Sequence, residues 1–135
     1  MNDFTHSVAG ERGVDATRVP LVISGDFNTE PDSDAVARVD GSVLALESYW
    51  KTVCGGLPEQ LPASATFSTW KQRKSKDPLF CGEKKRVIDY LWWRRATLQP
   101  RRLWQPLREA EIGPHALPCA TYPSDHVSLL AELKF

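Results

Sequence analysis

The run Val87-Ile88-Asp89-Tyr90-Leu91-Trp92-Trp93 constrains the fold of this chain more than any other. Its β-branched and aromatic side chains read as a strand. By the two-residue period, Val87, Leu91 and Trp93 share one face with Asp89, while Ile88, Tyr90 and Trp92 take the other. Both faces are expected to be buried, which leaves Asp89 as a carboxylate in apolar surroundings. Such a group is costly unless something pairs with it. Any fold adopted by this chain must therefore bring Asp89 a partner.

A second apolar run, Leu21-Val22-Ile23, breaks at Ser24-Gly25 and delivers Asp26, Phe27 and Asn28. It reads as a strand buried on both faces, with a tight turn at Gly25 and Phe27 as an anchor. A carboxylate and an amide at a strand end suit work on a phosphate. The acid can orient a water, and the amide can donate to a phosphoryl oxygen. An Asx turn after a strand is the plainer explanation of the same residues. The chain closes with Val127, Leu129, Ala131, Leu133 and Phe135 alternating against polar residues, a half-buried strand. Ser124-Asp125-His126 stands immediately before it, again a polar group at a strand edge.

Between these landmarks, Asp32 or Ser33 is expected to cap a helix that buries Ala35, Val36 and Val39 and ends near Gly41. Leu44 to Trp50 reads as a second short helical piece, and Val53 to Ser64 as a surface loop. Thr66 to Trp70 has strand composition. Lys71 to Arg86 holds seven Lys/Arg against Asp77 and Glu83 and reads as a mobile basic loop, suited to phosphate contact if it is not merely solvated. Thr97 to Trp104 reads as a strand interrupted by Pro100, and the proline-rich stretch from Gln105 to Pro123 as a long connection.

The 135 residues suit one domain with a real core. The zero net charge hides an asymmetry: residues 1–50 carry nine acids against three arginines, and residues 51–135 carry fourteen Lys/Arg against eight acids. An acidic cluster beside a basic surface suits a phosphate-rich substrate. Three widely spaced cysteines form neither a CxxC pair nor a disulfide framework, so a reducing compartment is expected. No stretch reaches the apolar length of a membrane span. The chain is expected to be intracellular and cytoplasmic, with no membrane partner.

Singly, each motif has an ordinary structural explanation. Together and in this order, GDFN, VIDY and PSDHVSLL resemble the endonuclease/exonuclease/phosphatase superfamily, whose members split phosphate esters with Mg²⁺. FSTWK with its basic loop, RVIDYLWW, and EAEIGPHALPCATYPSDHVSLLAELKF are similar to the group of nocturnin-like and carbon-catabolite-repressor-type deadenylases within it. The resemblance runs from about Val19 to Phe135 and leaves residues 1–18 as a polar leader or linker. It implies an α+β fold, namely the C-terminal half of a four-layer α/β/β/α sandwich of the DNase I-like kind, mostly antiparallel sheet with flanking helices.

The resemblance also implies roles. Asp26 orients or deprotonates the attacking water, and Asn28 steadies the pentacovalent phosphorus. Asp89 pairs with His126, which donates to a phosphate oxygen when protonated. Asp125 and Asp26 hold Mg²⁺, or Mn²⁺ in its place, directly or through water. Lys71, Arg73, Trp70 and Arg86 are expected to contact substrate, with Lys84 and Lys85 adding to the basic surface. The substrate implied is the 3′ poly(A) of RNA or the 2′-phosphate of NADP(H). The Asp89–His126 pair also has an independent rationale, because a carboxylate fixes an imidazole's orientation. Oxygen donors suit Mg²⁺, and few cysteines or histidines are present for zinc. In the family, the first half of the domain supplies the main metal-binding glutamate, and no matching motif occurs here. Two readings stay open: part of a hydrolase completed by further polypeptide, or a non-catalytic remnant or binding module.

Overall fold

A computed structural model describes Gly10, Gly13 and residues 15–55, 66–74, 76 and 82–135. Most of the expected leader (1–18) and of the expected loop over 53–64 lies outside these residues, as do 75 and 77–81 of the basic segment. Strand β1 (Val22–Asp26) is followed by helix α1 (Asp34–Asp40), strand β2 (Leu46–Ser48) and helix α2 (Tyr49–Cys54). Then come β3 (Thr69–Arg73), β4 (Gly82–Arg86), β5 (Asp89–Arg94), β6 (Gln99–Leu103), the one-turn helix α3 (Glu109–Ile112) and β7 (Ala131–Lys134). No helix among the described residues is long and apolar enough to cross a membrane.

Local chemistry explains several of these elements. Ser33 caps α1, its Oγ accepting from the Val36 N–H. Val36 and Val39, three apart, bury one stripe, whereas Ala35 is exposed. The helix stops at Gly41. Helix α2 ends at Gly55, whose φ of 67° glycine adopts freely. Strand β6 carries a register shift between Pro100 and Arg102, where proline lacks a ladder donor.

Among the described residues all strand pairs are antiparallel, in three sheets: β1-β5-β2, β3-β4 and β6-β7. Tyr90, Trp92 and Trp93 on β5 pack with Val36, Val39, Tyr49, Trp50 and Leu98 in the main core, against which Leu103, Leu129 and Leu133 also rest. A second cluster, built on Phe67, Trp70, Ile112, Leu117 and Val127, lies with β3 and the connection that follows α3. One buried cation braces the entry to β1: the Arg94 Nη1 donates to the carbonyls of Ala16 and Val19 at 2.6 Å each.

Several sequence expectations need correction. Among the described residues strand β1 lies at a sheet edge and is not buried on both faces, and Ser24, Gly25 and Asp26 are exposed with Val22 at 48%. An apolar run signals burial but not which edges find a neighbour. Leu44 to Trp50 is not a helical piece, since its middle forms β2 on the flank of β5 before α2 begins. Where it is described, the basic segment is a β-hairpin rather than a loop. The strand expected at Val87 begins at Asp89, and the last strand is confined to Ala131–Lys134. Among the described residues that last strand pairs with β6 and not with the β1-β5-β2 sheet.

Candidate active site

Antiparallel register sets Asp26 directly opposite Asp89 on neighbouring strands, so both carboxylates project from one face. Gly25 takes a φ of 156°, rare for residues with side chains, and a Cβ there would meet nothing within 4 Å; glycine is needed for its backbone rather than for space. Phe27 anchors the segment, edge-on to Tyr90 and Trp92 with ring centroids at 5.6 and 5.0 Å. Asn28 adopts the left-handed region at φ 53°, and its N–H donates to Asp26 Oδ1 at 2.7 Å. The Asx turn and the acid–amide pair are thus the same structure.

Asp89 finds the partner its position demands. The His126 Nδ1 lies 2.9 and 3.1 Å from the two Asp89 oxygens, and the Asp89 side chain is only 19% exposed. On the other side of the ring, the Lys71 Nζ is 3.3 Å from His126 Nε2 and 2.9 Å from Asp125 Oδ2. An ammonium has donors only. Where Lys71 bonds the ring, Nε2 is therefore the acceptor and Nδ1–H donates to Asp89. The hydrogen bond from Lys71 holds the Asp125 carboxyl below the usual carboxylate range.

A cavity of about 580 Å³ lies on one side, lined by Asn28, Glu30, Thr69, Lys71, Lys84 and Arg86 among others. An open groove of about 560 Å³ lies on the other, where Asp26, Asp89, Tyr122, Ser124, His126 and Leu129 come together. Lys71 borders the first and His126 the second, so their contact forms part of the wall between them.

Not every expected contact residue faces these spaces. Trp70 is 3% exposed; Lys85 sits over its ring at 4.5 Å, Phe67 packs against it, and its Nε1 donates to Glu83. It is a core residue of the second cluster and offers no ring face to a substrate. The backbone of Arg73 pairs with Gly82 at the other end of β3 from Thr69, and its side chain lies outside what the structure describes. Arg86 does line the cavity, but its Nε is held by Glu30 at 2.5 Å. Lys85 pairs with Glu109 and lies 3.9 Å from Glu83. The hairpin's charge is therefore partly compensated by acids from elsewhere in the chain. Glu30 and Glu109, which sequence reasoning passed over, carry no local signal of this role.

Three possible metal ligands, from Asp26, Asp89 and His126, lie within 4.8 Å of one another. Asp125 is not in that group, and its carboxylate faces Lys71. The chemistry of the set fits a hydrated hard cation at Asp26, whose carboxylate is exposed, better than one at Asp125, where an ammonium already sits.

No family model matches the chain. Human nocturnin is 35% identical over 118 residues, which is 87% of this chain and 25% of nocturnin. The CCR4-Not complex 3′-5′-exoribonuclease subunit Ccr4 of Yarrowia lipolytica is 30% identical over 127 residues, 87% of this chain and 17% of that protein. The 2′,5′-phosphodiesterase 12 of Rattus norvegicus is 26% identical, over 87% of this chain and 20% of its own length. Among solved structures, the human nocturnin catalytic domain with bound sulfate superposes with a TM-score of 0.61 at 24% identity, over 98% of this chain and 38% of that one. The chain thus spans a quarter or less of these curated relatives and well under half of that domain. Its fold is α+β and DNase I-like, and the chain belongs with nocturnin and the CCR4-type proteins in the endonuclease/exonuclease/phosphatase superfamily.

Proposed function

We propose that this chain carries the acid–base portion of a Mg²⁺-dependent phosphoester hydrolase, acting on the 3′ poly(A) of RNA or the 2′-phosphate of NADP(H). The observation that carries the reading is the Asp89–His126 pair set opposite Asp26 at one strand edge. The names of the exoribonuclease and phosphodiesterase relatives, and the sulfate on nocturnin, support a site for tetrahedral phosphorus.

In this reading Asp26, fixed by the Asn28 N–H through one oxygen, orients the attacking water with the other. The Asn28 side chain donates to a phosphoryl oxygen. His126, held by Asp89, takes up a proton at Nε2, and that N–H donates to a non-bridging phosphate oxygen in place of the contact with Lys71. Lys71, Lys84 and Arg86 neutralise the remaining phosphate charge in the adjoining cavity. Bound Mg²⁺, held by Asp26 with waters and by Asp125 once Lys71 lets go, would stabilise charge on the phosphoryl oxygens.

The exposed flank of β1 supports a further element of the proposal, that residues 19–135 act as the C-terminal half of a domain completed by other polypeptide. The test is Mg²⁺-dependent turnover of oligo(A) and NADPH by the purified chain, alone and within any longer product of its gene. The longer product is expected to be active and its Asp26→Ala variant to lose orders of magnitude in turnover. The chain alone is expected to be inactive and to bind Mg²⁺ weakly. Turnover in the Asp26→Ala protein close to that of the parent would sink the assignment.

A further inference from the structure

The three site motifs come from segments far apart in sequence, and one buried residue touches the anchoring of all of them. Ser68 is fully buried just before β3. Its Oγ accepts from the N–H groups of both Ile88 and Asp89 at 2.9 Å each. Its backbone carbonyl accepts from the Val127 N–H at 2.7 Å, and its own N–H donates to the Arg86 carbonyl at 2.9 Å. The Ile88 carbonyl in turn accepts from the Phe27 N–H at 2.8 Å, between Asp26 and Asn28.

Position explains why a hydroxyl stands here. Val87 and Ile88 form the break between β4 and β5 and belong to neither strand. Two adjacent N–H groups at such a break need an acceptor, and a buried amide without one is costly. An oxygen with two lone pairs can serve both. The main-chain bond to Val127 then ties the residue after His126 to the same point. Thr69 continues the tie, its Oγ1 donating to the Asp125 carbonyl at 2.8 Å.

We propose that Ser68 is a positioning residue that sets the Asp89 carboxylate and the His126 ring in register, and through Ile88 steadies the Asp26–Asn28 turn. This rests on the reading of Asp89 and His126 as the functional pair, and the test reads their hydrogen bond rather than turnover. Without the hydroxyl, the start of β5 shifts relative to the segment holding His126, and the Nδ1–H bond to Asp89 loosens. A residue serving only to satisfy two amides would cost stability and leave that bond as it is.

The experiment is NMR of the purified chain with ¹⁵N-labelled histidine at one fixed pH, beside thermal melts. The parent is expected to show a slowly exchanging, downfield His126 Nδ1 proton and ring nitrogens of a single tautomer. Ser68→Ala is expected to lose that proton signal and to show averaged ring nitrogens. Ser68→Thr, which keeps the oxygen, should restore them, and Ser68→Cys, a poorer acceptor of similar size, should fall between. Val87→Ala serves as the comparison, because Val87 is buried in the same break and no hydrogen bond joins it to Asp89 or His126 among the described residues. It should lower the melting temperature and leave the His126 signals in place. An unchanged Nδ1 proton in Ser68→Ala, or in Ser68→Cys should the alanine variant not fold, would overturn the proposal. Equal loss of the signal in Val87→Ala at a matched melting temperature would overturn it too. A parent with no bonded Nδ1 proton would instead contradict the underlying pair.

Discussion

Strands β1 and β5 lie side by side and each brings one acid to the site at the same register, yet they differ in almost every other respect. Strand β5 has a neighbour on both edges and buries Tyr90, Trp92 and Trp93. Strand β1 has one neighbour among the described residues, and four of its five residues are exposed. Asp89 is held by an imidazole in a partly buried setting, whereas among the described residues Asp26 is held by a local turn, and it faces solvent. The site thus joins a rigid, tertiary half to an open, local half. Tertiary support fixes the orientation of the hydrogen-bonded pair, and openness leaves the other acid accessible to solvent.

The largest expected effect tests the packing side of this contrast. Trp92 is fully buried, stacks on Tyr90 at 4.9 Å and bonds Asp40 through Nε1. Trp92→Ala should cost about 3–5 kcal/mol, as large-to-small aromatic changes in cores do. Val22→Ala on β1 should cost only a few tenths. Urea melts of both variants decide it. Similar costs would mean that β1 is covered in solution, by self-association or another chain.

The pairing side comes next. Asp89→Asn and His126→Ala share one hydrogen bond, so their effects on stability should be non-additive by about 0.5–3 kcal/mol in a double-mutant cycle. Asp26→Asn with His126→Ala should couple less, since no hydrogen bond joins that pair among the described residues. Equal coupling in both cycles would dissolve the distinction between the held and the open acid.

Charge in the hairpin should matter less than its composition suggests. Each neutralised contact to a single strand contributes a salt slope of about 0.7, so replacing Lys71, Lys84 and Arg86 with Met sets a ceiling of about 2. Because Lys71 and Arg86 already hold Asp125 and Glu30, the measured drop for an oligo(A) probe should fall below that ceiling. An unchanged slope would return the hairpin to a solvated surface.

The smallest effect concerns Asp125. Its folded pKa lies below the unfolded value, first because Lys71 donates a hydrogen bond to it. A depressed carboxyl contributes stability that is present above the unfolded pKa and is lost as pH falls through the folded one. Lys71→Met should therefore raise the Asp125 titration in ¹³C NMR and flatten the acid-side loss of stability. With that side chain 42% exposed, solvent screening keeps the change to a few tenths of a kcal/mol. A titration left in place would show that Lys71 does not hold Asp125 in solution.

Features that depend on near neighbours, or on an unavoidable cost, were legible in the sequence. The Ser33 cap, the stop at Gly41, the interruption at Pro100 and the anchor at Phe27 are local, and the residues involved announce them. The need for a partner at Asp89 is a matter of desolvation, which composition alone exposes. Tertiary packing decided what depends on distant segments. Alternating apolar residues cannot say whether β1 is central or at an edge, nor that 46–48 would dock on β5. Trp70 read as a substrate contact because a buried and an exposed tryptophan look alike in sequence. Lys71 meets His126 across 55 positions and Arg86 meets Glu30 across 56. Side-chain ion pairs carry no periodicity, so only the packing of the hairpin against the rest of the chain could place them.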